Sequence, residues 1–203
     1  MTRAGVTATP SVMPASGGTH CPAVPTSYRR LMDGSTVRIG GHAWHCIAGF
    51  GHAPEHLSLH CPDLGVLISG DMLLPRISTN VSVTDMEPEA DSLTLYLRSI
   101  DRYRPLPADT LVLPSHGRPF RGMHTRIDQL HAHHDERLAD VVAACTAQPQ
   151  TAASLLPVLF KRKLDLHQTT FAMGESIAHL NALWLAGRLA RRLDDDGTYR
   201  FVR

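Results

Sequence analysis

The sequence predicts an α+β fold, a small antiparallel sheet followed by helices, with a compact module at the C-terminal end. Three observations predict it. Short apolar runs between residues 36 and 69 are punctuated by Asp33-Gly34, Gly40-Gly41 and Pro62-Asp63. An apolar stripe at helical spacing runs from Arg126 to Cys145, and the texture changes again beyond Gln148-Pro149-Gln150. At 203 residues the chain is long enough to bury a core, and a net charge of +1 excludes a polybasic nucleic-acid carrier or an acidic tail. One residue type stands out, the 13 histidines.

Residues 1–27 are a loose segment, in which Arg3 is the only charge before Thr26 and no apolar run marks a signal peptide or anchor. Thr36–Ile39 and Ala43–Ala48 read as a hairpin, and His56–Cys61 and Leu64–Ser69 as a second antiparallel pair. Leu93, Leu97 and Ile100 place a helix between Glu89 and Tyr103, and Thr110–Leu113 is a short buried strand. Ile127, Leu130, His134, Leu138, Val141 and Val142 form one stripe of the long helix. Beyond residue 148, helices over Ala152–Phe160 and Thr170–Ala186 precede strands Leu189–Leu193 and Thr198–Val202. Helix, helix, hairpin is the order of a winged-helix module. The expected domains are therefore 28–147 and 148–203, with Phe171, Ile177, Leu180, Trp184 and Leu185 in the core of the last helix.

Cys21, Cys46, Cys61 and Cys145 are isolated and form no CxxC pair, which points to a reducing, cytoplasmic location, and no apolar stretch is long enough for a membrane. The chemistry gathers at strand ends. His52 lies in Gly51-His52-Ala53-Pro54-Glu55-His56, Asp71 follows Ser69-Gly70, and His116 stands in Pro114-Ser115-His116-Gly117. Two imidazoles and a carboxylate suit zinc, iron or manganese.

These three motifs, in this order, together with SGDMLLPRISTNVSV from Ser69 and SHGRPFRG from Ser115, resemble the later motifs of the metallo-β-lactamase superfamily, in a bacterial branch with a C-terminal winged helix. The resemblance implies an αββα sandwich holding two metal ions at its sheet edge. Carried over by position, His52 would bind the first ion, Asp71 would bridge both and take part in catalysis, and His116 would bind the second. His56 would support them from behind.

The family's upstream HxHxDH motif, which supplies four of seven ligands, has no counterpart here. His131-Ala132-His133-His134-Asp135 lies downstream in a helix, where i and i+2 side chains diverge by about 200°, and reads as a solvated face. His42 and His45 are wrongly spaced for that motif. The expected fold is thus the C-terminal portion of the sandwich followed by the winged helix, a pattern that truncation, a misplaced start or divergence would each produce. Such a chain would expose apolar sheet surface and self-associate. It would bind one divalent metal weakly and substoichiometrically; His20 and Cys21 are the candidates for a substitute ligand, although they read first as solvated residues of the loose segment.

Nucleic acid is a poor partner for the C-terminal module. Eight basic residues from Lys161 to Arg203 face five acidic ones, and Asp194-Asp195-Asp196 occupy the hairpin tip. The leading function is a metal-dependent hydrolase of a small acyl ester or thioester, weakened or inactive in truncated form. An RNA or DNA phosphodiesterase and a non-catalytic winged-helix interaction protein are the alternatives.

Overall fold

Five strands form the main sheet in the order β1-β2-β3-β4-β5. β1 (Thr36–Ile39), β2 (His42–Gly49), β3 (His56–Cys61) and β4 (Val66–Gly70) are antiparallel neighbours; the β1–β2 and β3–β4 pairs are those the turn residues predict, and β2–β3 joins the two pairs into one sheet. β5 (Leu111–Pro114) joins β4 in parallel after a crossover that carries α1 (Ser92–Asp101). The computed structural model describes residues 27–203. The chain divides into a unit over Met1–Arg30, of which residues 27–30 carry no regular structure, and a unit over Leu31–Arg203.

The ladder register separates the two faces of the sheet. Residues opposite one another share a face, so His45, His60, Leu67 and Val112 lie on one side and Cys46, Leu59, Ile68 and Leu113 on the other. The first side is covered. Leu67, Val112 and Ile47 pack with Leu93, Tyr96 and Ile100 of α1 and with Met123, Ile127 and Leu130 of α2 (Met123–Ala147). The second side is partly covered: Trp44, Cys46, Ala48 and Cys61 are buried there, Leu57, Leu59, Val66, Leu111 and Leu113 are half-buried without joining either core of the described residues, and Ile68 is 39% exposed.

A second core holds the C-terminal elements α3 (Leu156–Leu159), α4 (Leu166–Leu185) and the hairpin β6 (Ala190–Leu193) with β7 (Tyr199–Val202). α2 and α4 serve both cores. Ile127 and Leu130 of α2 face the first and Val141 and Cys145 the second, while α4 gives Ala178 and Ala182 to the first and Leu180 and Leu183 to the second. Phe171 and Leu185, expected in the core of α4, are each 48% exposed. α4 is instead buried on more than one side, and its small residues Ala172, Gly174, Ser176 and Ala178, which fall on two opposite sides of the helix, let it approach its neighbours closely.

The polar cluster on α2 is likewise corrected. His134 is fully buried, not solvated, because its position follows Ile127 and Leu130 along the inward stripe. His179 of α4 donates from Nδ1 to the Glu175 carbonyl at 2.8 Å, and His134 Nδ1 lies 3.3 Å from His179 Nε2. Burial holds both imidazoles far below their ordinary pKa, to about 3 for His134 and about 4 for His179. Both are neutral at pH 7, so the pair forms a one-way chain in which His134 donates to His179.

Candidate metal centre

Three loops at one end of the sheet bring His52, Asp71 and His116 together. His52 lies between β2 and β3, Asp71 directly follows β4 and His116 follows β5. The loop of His52 is fixed on α1, where Phe50 N–H donates to Ser99 Oγ at 2.8 Å. Past Asp71, the chain is held by Arg126 of α2, whose Nε and Nη2 donate to the carbonyls of Leu74 at 2.8 Å and Ile77 at 2.9 Å.

The Asp71 carboxylate stands between the two imidazoles. His52 Nε2 is 3.5 Å from Oδ2, and His116 Nε2 is 3.4 Å from Oδ1. Both separations exceed an N–H···O hydrogen bond, and both match two donors bound at about 2.0–2.2 Å to one tetrahedral ion, which stand about 3.4 Å apart. Each carboxylate oxygen is thus paired with a different histidine, an arrangement suited to a carboxylate that bridges two ions. The three residues do not gather one donor atom each within 4.8 Å of one another, as a single shared ion requires.

Supporting groups orient this set. His52 Nδ1 lies 2.8 Å from the Asn80 carbonyl oxygen and donates its proton there, which leaves the Nε2 lone pair free for a metal. Ser115 Oγ donates to Asp71 Oδ1 at 2.8 Å, and Thr79 Oγ donates to the Asp71 carbonyl at 2.6 Å. His56 lies beneath the loop. Gly70 has φ +54°, and a Cβ there would fall 2.2 Å from His56 Nε2, so glycine serves both the turn and the histidine below it. Burial lowers the His56 pKa, and repulsion from His52 lowers it further while Asp71 opposes both.

Two clefts flank the trio. One of roughly 670 Å³ is lined by His116, Arg76, Arg118 and Phe120, and one of roughly 500 Å³ by His52, Phe50, Thr84 and Leu95. The sequence alone brings out His52, Asp71, His116 and His56. It misses Asn80 and Thr79, whose roles arise from loop conformation, and Ser115, whose place beside His116 in the PSHG motif is the available signal. His20 and Cys21 lie outside the described residues.

Comparison with known proteins bears on the family. Residues 22–116 match the model of the metallo-beta-lactamase superfamily, and residues 138–203 match the metallo-beta-lactamase-like C-terminal domain. The chain belongs to the metallo-beta-lactamase superfamily. Its fold is similar to a beta-lactamase domain protein from Burkholderia ambifaria, at 59% identity and a TM-score of 0.87 over 89% of this chain and 54% of that one. A metallo-beta-lactamase family protein from Thermus thermophilus is 32% identical with a TM-score of 0.76, over 88% of this chain and 55% of that one. "Probable metallo-hydrolase YqjP" of Bacillus subtilis is 29% identical over 153 residues, 71% of this chain and 46% of that protein. The chain spans about half the length of these relatives. Superfamily membership implies a metal cofactor, and the donor set at Asp71 fits one: imidazole nitrogens and a carboxylate, with the His52 tautomer already fixed. No helix of the described residues is long and apolar enough to cross a membrane.

Proposed function

We propose that the chain is a metal-dependent hydrolase of a small acyl ester or thioester, with His52, Asp71 and His116 as metal ligands and Asp71 as the bridging, catalytic carboxylate. The observation that carries it is the pairing of each Asp71 oxygen with a different imidazole, at 3.5 and 3.4 Å. Zinc is the favoured ion, with iron and manganese compatible with the same donors. When bound, such ions lower the pKa of water toward neutrality and stabilise charge developing on the attacked oxygen. The residues around them fix the geometry. Asn80 holds the His52 ring, Ser115 holds the Asp71 carboxylate, and His56 fills the space under Gly70. Arg76 and Arg118, beside His116, suit a substrate that carries an anionic group.

Residues 148–203 are proposed to act as a winged-helix module that shapes access to this centre rather than reading nucleic acid. Arg191 supports that view, because its guanidinium stacks on Trp184 at 3.6 Å and pairs with Glu89, so this cation is not offered to phosphate. The free thiols Cys46, Cys61 and Cys145 fit a reducing cytoplasm. The sheet side of Leu59, Ile68 and Leu113 is proposed to pair with a second copy of this chain.

The test is hydrolysis of a panel of ester, thioester and phosphodiester substrates by the full chain with added zinc, with chelator, and after Asp71→Ala or His116→Ala. Chelator-sensitive acyl hydrolysis lost in both variants is expected. Preferred phosphodiester cleavage would overturn the substrate class. Metal content unchanged in both variants would overturn the ligand assignment.

A further inference from the structure

We propose that His42, Cys61 and Asp63 form a second site, for one zinc ion, at the opposite end of the strands from Asp71. His42 opens β2, Cys61 closes β3, and Asp63 follows in the β3–β4 turn. β2 and β3 pair Cys46 with Leu59, and alternation along each strand puts His42 on the face of Cys46 and Cys61 on the face of Leu59, so His42 and Cys61 leave the same face of the sheet. Two tight turns deliver them. Gly40 and Gly41 have positive φ before His42, and Gly65 N–H donates to the Pro62 carbonyl at 3.1 Å across the turn that holds Asp63.

The donor atoms of the three lie within 4.8 Å of one another, the one such group of three or more His, Cys, Asp or Glu among the described residues. His42 Nδ1 is 3.7 Å from Asp63 Oδ2, too long for a hydrogen bond and close to the separation of about 3.4 Å between two donors on one tetrahedral zinc. No other partner of the His42 ring is found among the described residues. Cys61 is a free thiol with no exposed surface, while the His42 and Asp63 side chains are 40% and 67% exposed. An ion would therefore reach the sulfur from the side of the other two ligands.

The donor chemistry selects the ion. A thiolate and an imidazole exclude magnesium and calcium, and the added carboxylate suits zinc better than copper(I). Thiolate and carboxylate together balance the two positive charges of zinc, and water completes four-coordination. Binding would release the Cys61 proton and clamp the start of β2 to the β3–β4 turn, stabilising the folded chain.

This proposal does not rest on the function assigned to Asp71, so the test uses the full-length His52→Ala/His116→Ala protein. Titration with cobalt(II), a spectroscopic substitute for zinc, is expected to fill one equivalent and give a near-ultraviolet thiolate-to-cobalt band that zinc abolishes. Cys61→Ser should remove the band. His42→Gln and Asp63→Asn, at partly exposed positions, should each weaken binding at least about tenfold. No thiolate band in the His52→Ala/His116→Ala protein would overturn the proposal. So would a band that survives Cys61→Ser but is lost with Cys21→Ser, Cys46→Ser or Cys145→Ser. Should Cys61→Ser not fold, unchanged affinity in both His42→Gln and Asp63→Asn overturns it equally.

Discussion

The Nδ1 proton of His52 is held by the backbone carbonyl of Asn80, 2.8 Å away and 28 residues on. That carbonyl is itself held in place from the C-terminal half. Ser82 Oγ donates to Asn80 Oδ1 at 2.7 Å, Val83 N–H donates to the Gly174 carbonyl of α4 at 3.1 Å, and a Cβ on Gly174 would fall 2.7 Å from the Ser82 side chain. A residue in the interior of α4 thus packs behind the segment whose carbonyl orients the His52 ring.

Gly174→Ala should therefore act at a distance. Alanine favours a helix interior by about 1 kcal/mol over glycine. Here its methyl group must displace Ser82, shift Asn80 and release the His52 ring. Metal affinity at His52 is expected to fall about 10- to 100-fold, the usual cost of losing an orienting partner, while the fold persists. Isothermal titration with zinc in a Cys61→Ser background reads this centre alone. Unchanged affinity would break the link between Gly174 and His52.

Ser115 permits a sharper comparison. Its hydroxyl donates to Asp71 Oδ1, the same oxygen that faces His116 Nε2. Ser115→Ala removes one charge-assisted hydrogen bond, worth about 1.5–3 kcal/mol, and leaves every ligand in place. Metal should bind more weakly, by at least about tenfold, and Ser115→Thr should recover most of the loss. If Ser115→Ala and Ser115→Thr behaved alike, the hydroxyl would not position the carboxylate.

Much of the sheet ladder and the strand-end placing of His52, Asp71 and His116 are legible in the sequence because both are local. Alternation with Gly-Gly and Pro-Asp turns specifies antiparallel pairing, and a histidine or aspartate one or two residues past a strand must stand at the sheet edge. Asn80 is not legible, since a backbone carbonyl carries no residue signature. His134 reads two ways in the sequence, on the stripe that begins at Ile127 and within the polar run His131–Asp135, and only its burial decides for the stripe. His42, whose spacing from His45 suits no ligand motif, meets Cys61 only through the β2–β3 register.

The buried histidine pair predicts an acid-sensitive fold. Folded His134 and His179 stay neutral until about pH 3 and 4, whereas in the unfolded chain they take up protons below about pH 6.5. The unfolded state binds more protons in that window, so each histidine removes about 1.4 kcal/mol of stability per pH unit as pH falls. Glu175 acts the other way. Burial pushes its carboxyl up to about 7, so between about pH 4.5 and 7 the folded chain holds a proton that the unfolded chain releases. Two histidines outweigh one carboxyl, so these three groups together should contribute a net loss of about 1.4 kcal/mol from pH 6 to pH 5 in urea unfolding, and His56, His60 and His133, also lowered by burial, add in the same direction. His134→Leu should flatten that dependence. A slope unchanged by His134→Leu would show that the histidine is already protonated in the folded chain.

The second side of the sheet leads to the last expectation. Leu57, Leu59, Val66, Leu111 and Leu113 lie half-buried beside the exposed Ile68 on one side, and none of them enters either core of the described residues. An apolar patch larger than a few hundred Å² is rarely left in water, and two such faces can bury each other as stacked sheets about 10 Å apart. Ile68 sits on β4 and is 39% exposed, so a lysine there keeps its strand contacts while placing a charge in the contact. The unmodified chain should sediment as a dimer or larger and bind a hydrophobic dye after dilution. Ile68→Lys should shift it toward monomer, whereas Ile39→Lys, on the edge strand β1, should have the smaller effect. A monomer at all concentrations, with no dye binding, would show that this face does not pair with a second copy.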